Sequence, residues 1–213
     1  MKRHIIYVLV LLAIAASILS GCTRESPSTV MDTIESHKSE KIADSQLHRL
    51  VIPKSIIDLS GETADAWISE YNDDTATATG PSGEEIPFKQ VYSDAYKNDD
   101  GTITLVFTAE QLKLYRQIMR RSASLRDFIQ SDYNAENGRP FKSTEFTDNG
   151  LTGIIVYVDK KAYGSDIRPF EAEAMGLYQI ANGVKPDEWK AHVVVKDYKT
   201  GEIISEDDYP TEP

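Results

Sequence analysis

Residues 92–112, YSDAYKNDDGTITLVFTAEQL, decide the fold class. Tyr92 to Lys97 and Thr102 to Thr108 are strand-like runs on either side of Asn98-Asp99-Asp100-Gly101. Asp-Gly between such runs is a strong hairpin signal, because both residues tolerate positive φ. The second run ends on Thr108, and Gln111 three residues later completes the pattern of a capping box. Leu112, Tyr115, Ile118, Met119 and Leu125 follow at spacings that build one apolar face. A hairpin therefore feeds directly into an amphipathic helix, expected to run to about Tyr133 with an interruption near Ser122 to Ser124.

The same grammar repeats in both directions. Thr75 to Thr79 and Ile86 to Tyr96 flank Gly80-Pro81-Ser82-Gly83, which has the residues of a tight connection. Phe141 to Phe146 and Leu151 to Val158 flank Asp148-Asn149-Gly150, and Val193 to Asp197 and Glu202 to Ser205 flank Lys199-Thr200-Gly201. Thr63 to Tyr71, with Ala64, Trp67, Ile68 and Tyr71 on one face, reads as a short helix. A second long helix has Pro169 in its first turn, Phe170, Ala174, Leu177, Tyr178 and Ala181 along one stripe, and Asn182-Gly183 as its stop. Hairpins cannot bury two faces alone, so the expected fold is α+β, an antiparallel sheet built from hairpins with two to three helices packed on one face. One such domain spans 48–205, starting around Val51-Ile52-Pro53, and 206–213 reads as an acidic, unstructured tail.

Ahead of that domain the chain changes character. Cys22 is its only cysteine, in the string Leu19-Ser20-Gly21-Cys22, behind Lys2 and Arg3 and the 15 mostly apolar residues Ile5 to Leu19. Spanning a bilayer takes about 20 apolar residues, so this run is too short for a transmembrane anchor. The string resembles the lipobox of bacterial lipoproteins, and residues 1–21 have the layout of a signal peptide. The resemblance implies a diacylglyceryl group on the Cys22 sulfur and cleavage after Gly21, leaving a chain held to the lipid bilayer through acylated Cys22 on the extracytoplasmic face. Residues 22–47, rich in Ser, Thr, Glu and Lys, read as a flexible tether, whose reach is roughly 25–30 Å.

Loss of residues 1–21 removes Lys2 and Arg3 and no acid, leaving 21 basic against 34 acidic residues, a net charge of −13. Such a balance disfavours nucleic acid and anionic headgroups as partners. With its one thiol acylated, the mature chain forms no disulfide, and its stability rests on the core.

No residue pattern requires a cofactor or metal. His37, His48 and His192 are scattered, without zinc spacing. His192 could serve as a base, but a lone histidine at a strand start is more often structural. Gly80-Pro81-Ser82-Gly83 joins strand to strand, where a hydrolase nucleophile elbow joins strand to helix. In Asn98-Asp99-Asp100-Gly101 a calcium-loop register would put Tyr96 and Phe107 at positions that need carboxylates, so a hairpin turn is the better reading. Lys113, Arg116 and Arg120, at i, i+3 and i+7, form a basic stripe on an acidic protein. It is either a dock for an anionic partner or, as preferred, a solvated helix face paired with the protein's own groups. Tyr157, Tyr163, Tyr178 and Trp189 are core candidates before they are ligand platforms. Alternation sets Ile154, Val156 and Val158 on one side of their strand and Ile155 and Tyr157 on the other, one set being a candidate exposed patch.

Beyond the lipobox, the mature part resembles an uncharacterised group of Gram-positive surface lipoproteins. The shared order is an Ile-Pro start (Val51-Ile52-Pro53), an Asp-Gly hairpin running into a helix (Asp100-Gly101-Thr102-Ile103-Thr104-Leu105 through Thr108 to Gln111), and a final Thr-Gly-Glu hairpin (His192-Val193-Val194-Val195 with Thr200-Gly201-Glu202-Ile203-Ile204). The expectation is a membrane-anchored binding or interaction module of the cell envelope, with wall polymer or an envelope protein as partner. The alternative is a hydrolase acting on wall polymer through paired carboxylates, which only three dimensions would reveal.

Overall fold

The computed structural model describes residues 47–164 and 166–211. The expected signal peptide, Cys22 and the expected tether lie outside the described residues, apart from Leu47. The elements run β1 (His48–Ile52), α1 (Lys54–Ser60), α2 (Ala64–Tyr71), β2 (Thr77–Thr79), β3 (Glu85–Pro87), α3 (Phe88–Val91), β4 (Asp94–Lys97), β5 (Ile103–Phe107) and α4 (Ala109–Ser122), then α5 (Arg126–Gln130), α6 (Asp132–Glu136), β6 (Phe141–Phe146), β7 (Gly153–Val158), α7 (Arg168–Ala181), β8 (Ala191–Asp197) and β9 (Ile203–Tyr209). This is an α+β fold.

The deciding stretch forms as its residues dictate. Asp100 folds its carboxylate back to accept from the Thr102 amide at 2.9 Å and the Thr102 hydroxyl at 2.6 Å, while Gly101 takes φ +84°. That turn brings β4 antiparallel to β5, with Tyr96 opposite Thr104. At the other end of β5, Thr108 Oγ1 accepts from the Gln111 amide and Gln111 Oε1 accepts from the Thr108 amide, the reciprocal capping box. The interruption expected after this helix falls at Ala123 to Leu125, where Leu125 adopts φ +50° and the chain restarts as α5.

Strand content divides among a three-stranded sheet ordered β1-β5-β4, the small hairpin β2-β3, and a four-stranded sheet ordered β6-β7-β8-β9. Helix α7 joins the parts. It packs on α1, α4 and β8, burying Ala172, Met175, Leu177 and Ile180. Gly176 is the close-approach point: a Cβ there would lie 2.8 Å from Ile56 Cδ1 and 2.8 Å from Trp189 Cε3.

Four details depart from the sequence reading. Strands β7 and β8 pair in parallel, Ile154 opposite Val193 and Val156 opposite Val195, because α7 crosses over between them; reading each strand only with its hairpin neighbour hides this. Helix α1 is an addition, begun after Pro53 and closed by Gly61 at φ +73°. The run from Ile86 to Tyr96 is broken by the turn of helix α3. The domain also does not end at 205. Acidic residues 206–209 are the second half of strand β9, held along β8 by backbone pairing, by buried Tyr209, and by the pairs Asp207–Arg168 (2.6 Å) and Asp208–His192 (2.8 Å).

Candidate functional site

The least ordinary chemistry lies where α7 packs on α4, with acids and phenols of the 62–71 region acting on it. Along α7, spacing puts Glu171 and Glu173 on different sides of the helix. Glu171 is 0 % exposed and neither carboxyl oxygen has a hydrogen-bond partner. Burial alone raises its proton affinity well above the ordinary carboxyl range. Glu173 is half-buried, with Oε2 sealed from solvent and unpartnered. Burial first, then the carboxylates of Glu62 and Glu70, push it up to about 8.

Around Glu173 stands a set of phenols. Tyr115 of α4 is 4 % exposed and its hydroxyl is also unpartnered. A chain of rings links it to α2: Tyr115 to Phe107 at 5.0 Å, Phe107 to Tyr92 at 6.5 Å, Tyr92 to Tyr71 at 5.3 Å. The Tyr92 hydroxyl donates to the Tyr71 carbonyl. Burial and the neighbouring acids hold Tyr71 and Tyr115 above the ordinary phenol range. The cluster therefore holds its proton on Glu173 near neutrality.

The second feature is the outer face of the four-stranded sheet. Ile154, Val156 and Val158 are buried, so Ile155 and Tyr157 are the half-exposed set. Register aligns Ser143, Tyr157, Lys196 and Ile203 in one row across this face. Beside it, the ammonium groups of Lys142 and Lys199 lie 5.1 and 5.0 Å from the ring centroid of Tyr198. Tyr198 is 43 % and Ile203 51 % exposed. Lys199 has a carboxylate neighbour, Asp159 at 3.5 Å, and Lys160 pairs with Glu202 at 2.9 Å. Among the described residues Lys142 and Lys196 have no ion pair. The neighbouring row carries Glu145, which accepts from the Tyr157 hydroxyl at 3.2 Å, and Glu206, and the row beyond it carries Asp208.

The residues singled out in the sequence are scattered rather than gathered. Arg116 donates to the Ala181 carbonyl at the end of α7 (2.6 Å), and Arg120 donates to the Tyr178 hydroxyl (3.3 Å), so two of the three stripe residues serve helix packing. Lys113 is exposed. Arg121, next to the stripe, pairs with Asp127 and donates to the Pro81 carbonyl. The His192 side chain pairs with the exposed carboxylate of Asp208. Trp189 is buried and donates to Ser55 Oγ at 3.1 Å, and Tyr163 packs on Phe141. Glu171, Glu173 and the Lys142, Lys196, Lys199 group were not found from sequence. A glutamate on the apolar stripe of α7, one turn before Met175, was the available signal for Glu171.

No helix among the described residues is long and apolar enough to cross a membrane. Comparison of the chain with protein families, with curated proteins and with solved structures finds no match.

Proposed function

We propose that the protein is a lipid-anchored extracytoplasmic lipoprotein of the bacterial envelope, a binding module whose domain docks an anionic wall polymer. The observation that carries this reading is the lone cysteine at the end of Leu19-Ser20-Gly21-Cys22, behind a basic and then apolar leader. Two or more acyl chains on such a residue give durable attachment, at about 0.8 kcal/mol per buried methylene. The polymer would meet the lysine–tyrosine end of the outer sheet face. Charge is screened beyond about 8 Å at physiological ionic strength, so a partner there meets the local charges first: Lys142 and Lys196, which have no ion pair among the described residues, then Lys199 beside Asp159 and Glu145 beside Tyr157. Tyr157 and Tyr198 add flat, half-exposed rings on which a sugar or polyol can lie.

The hydrolase alternative has less support. Its acid would be a carboxyl of raised proton affinity, and of the two on α7 Glu171 has both oxygens and Glu173 one oxygen sealed from solvent.

Two measurements test the proposal separately. Cys22→Ser is expected to release the chain from membranes and abolish incorporation of a fatty-acid analogue; retention without label would refute the anchor. Using that soluble chain, poly(glycerol phosphate) is expected to bind with an affinity that falls steeply with salt and drops at least tenfold in Lys142→Glu/Lys196→Glu. Equal binding by that variant and by Lys113→Glu would refute the surface, and binding of envelope proteins instead would replace the polymer as partner.

A further inference from the structure

We propose that the outer face of the three-stranded sheet β1-β5-β4 is a self-docking surface, on which a second copy of this chain seats face to face about a two-fold axis running along β5.

Register divides the side chains of this sheet between two faces. Leu50, Leu105 and Ala95 share the inner one, as do Ile52, Ile103 and Lys97. Helices meet that side: Lys97 pairs with Asp65 of α2 at 2.7 Å, and Phe107 packs on Tyr115 of α4 with ring centroids 5.0 Å apart. The outer side carries two rows. Read from β1 through β5 to β4, one is Val51, Thr104 and Tyr96, and the other is Arg49, Val106 and Asp94. Val51 is 37 % and Tyr96 40 % exposed, so a single row holds two of the four large apolar side chains that stand exposed among the described residues. The other two, Tyr198 and Ile203, belong to the four-stranded sheet and its lysine–tyrosine end.

Charge identifies the occupant. Arg49 and Asp94 are exposed on opposite border strands at one level of the sheet, with Val106 between them. A half-turn about an axis along β5 exchanges the two borders and keeps each level in place. Arg49 of one copy then lies over Asp94 of the other and Asp94 over Arg49, while Val51 and Tyr96 cover one another in the same way. Thr104 and Val106 meet their own equivalents at the centre. Such self-complementarity is what an isologous dimer requires, and packed sheets keep their strand directions within about 30°, as this axis does. The axis also leaves both copies of β1 pointing the same way, so both chains enter at His48 from one end of the pair. That suits two molecules held in one bilayer, a benefit that rests on the proposed anchor; the surface itself does not. Three short strands about 4.8 Å apart present roughly 250 Å² of sheet, below the roughly 800 Å² per partner of a standard stable interface, so the association is reversible.

The test is sedimentation equilibrium of the Cys22→Ser chain, in which pairing owes nothing to acylation. The expected result is a monomer–dimer equilibrium that Arg49→Asp and Asp94→Arg, added singly, each weaken about tenfold or more, because each variant sets like charges against one another. Mixed in equal amounts, the two variants are expected to pair with each other as strongly as the parent chain pairs with itself, since every arginine at these positions then faces an aspartate. Recovery in the mixture also shows that neither variant has lost its fold. Lys196→Glu, on the other sheet, is expected to leave the equilibrium unchanged. A parent chain that stays monomeric up to about 1 mM, single variants that associate as the parent does, or a mixture that fails to pair would each overturn the proposal.

Discussion

Glu173→Gln is expected to stabilise the domain at neutral pH, and the amount follows from the site. In the unfolded chain the carboxyl has its ordinary value near 4.5, and in the folded domain it is pushed up to about 8. The sign follows from proton binding: the folded state holds this proton more tightly, so the contribution of Glu173 to stability is fully present below pH 4.5 and is lost as pH rises from there to about 8. Each pH unit in that window removes up to about 1.4 kcal/mol, and the 2.5 units between 4.5 and 7 remove about 3 kcal/mol. Glutamine has nearly the same shape and no ionisation. The variant should therefore exceed wild type by about 3 kcal/mol at pH 7, roughly 6–12 °C in Tm for a domain this size, and by almost nothing at pH 4.5. Urea unfolding at half-unit steps from pH 4.5 to 8.5 measures it. A constant offset between the two proteins across that range, or a less stable variant at pH 7, would refute the reasoning.

Two further predictions concern α7. Gly176→Ala gains about 1 kcal/mol of helix propensity but drives a methyl to 2.8 Å from Ile56 and Trp189, both buried side chains. Overpacking of this kind costs about 1–3 kcal/mol, so thermal unfolding should show a net loss of about 1 kcal/mol, and a gain would mean the α1–α7 seam is looser than described. Glu171→Met replaces an enclosed carboxyl without hydrogen bonds by an apolar side chain of similar size and should stabilise by about 1–3 kcal/mol. That gain should grow from pH 4 to pH 7 in denaturant titrations, because the folded carboxyl resists ionisation; a loss at both pH values would show an unseen partner for Glu171.

How much of this was readable depended on whether the signal was local. The hairpin at Asp100-Gly101, the capping box at Thr108 and Gln111, and the break before Leu125 each rest on contacts within a few residues, and each formed as read. The parallel register of β7 and β8 depends on where a fourteen-residue helix lies down, which no neighbouring residue states. Strand β9 was obscured by composition. Glu206, Asp207 and Asp208 look like a solvated tail until Arg168, His192 and the β8 backbone are placed beside them. The sites divide similarly. The basic stripe was visible because its members are neighbours on one helix, but the carbonyl at Ala181 that occupies Arg116 is 65 residues distant. The acid–tyrosine cluster draws on α2, α4, α7 and their connections, so only folding assembles it.

The outermost position of β9 gives its acidity a use. An open strand border is a template for pairing with a neighbouring molecule, and proteins confined to a plane meet one another far more often than those in bulk solution. Two copies approaching border to border through β9 would set Glu206, Asp207 and Asp208 against the same three carboxylates, and like charges face to face oppose that union. The C-terminal acids thus act as a fender against edge-to-edge union of two copies.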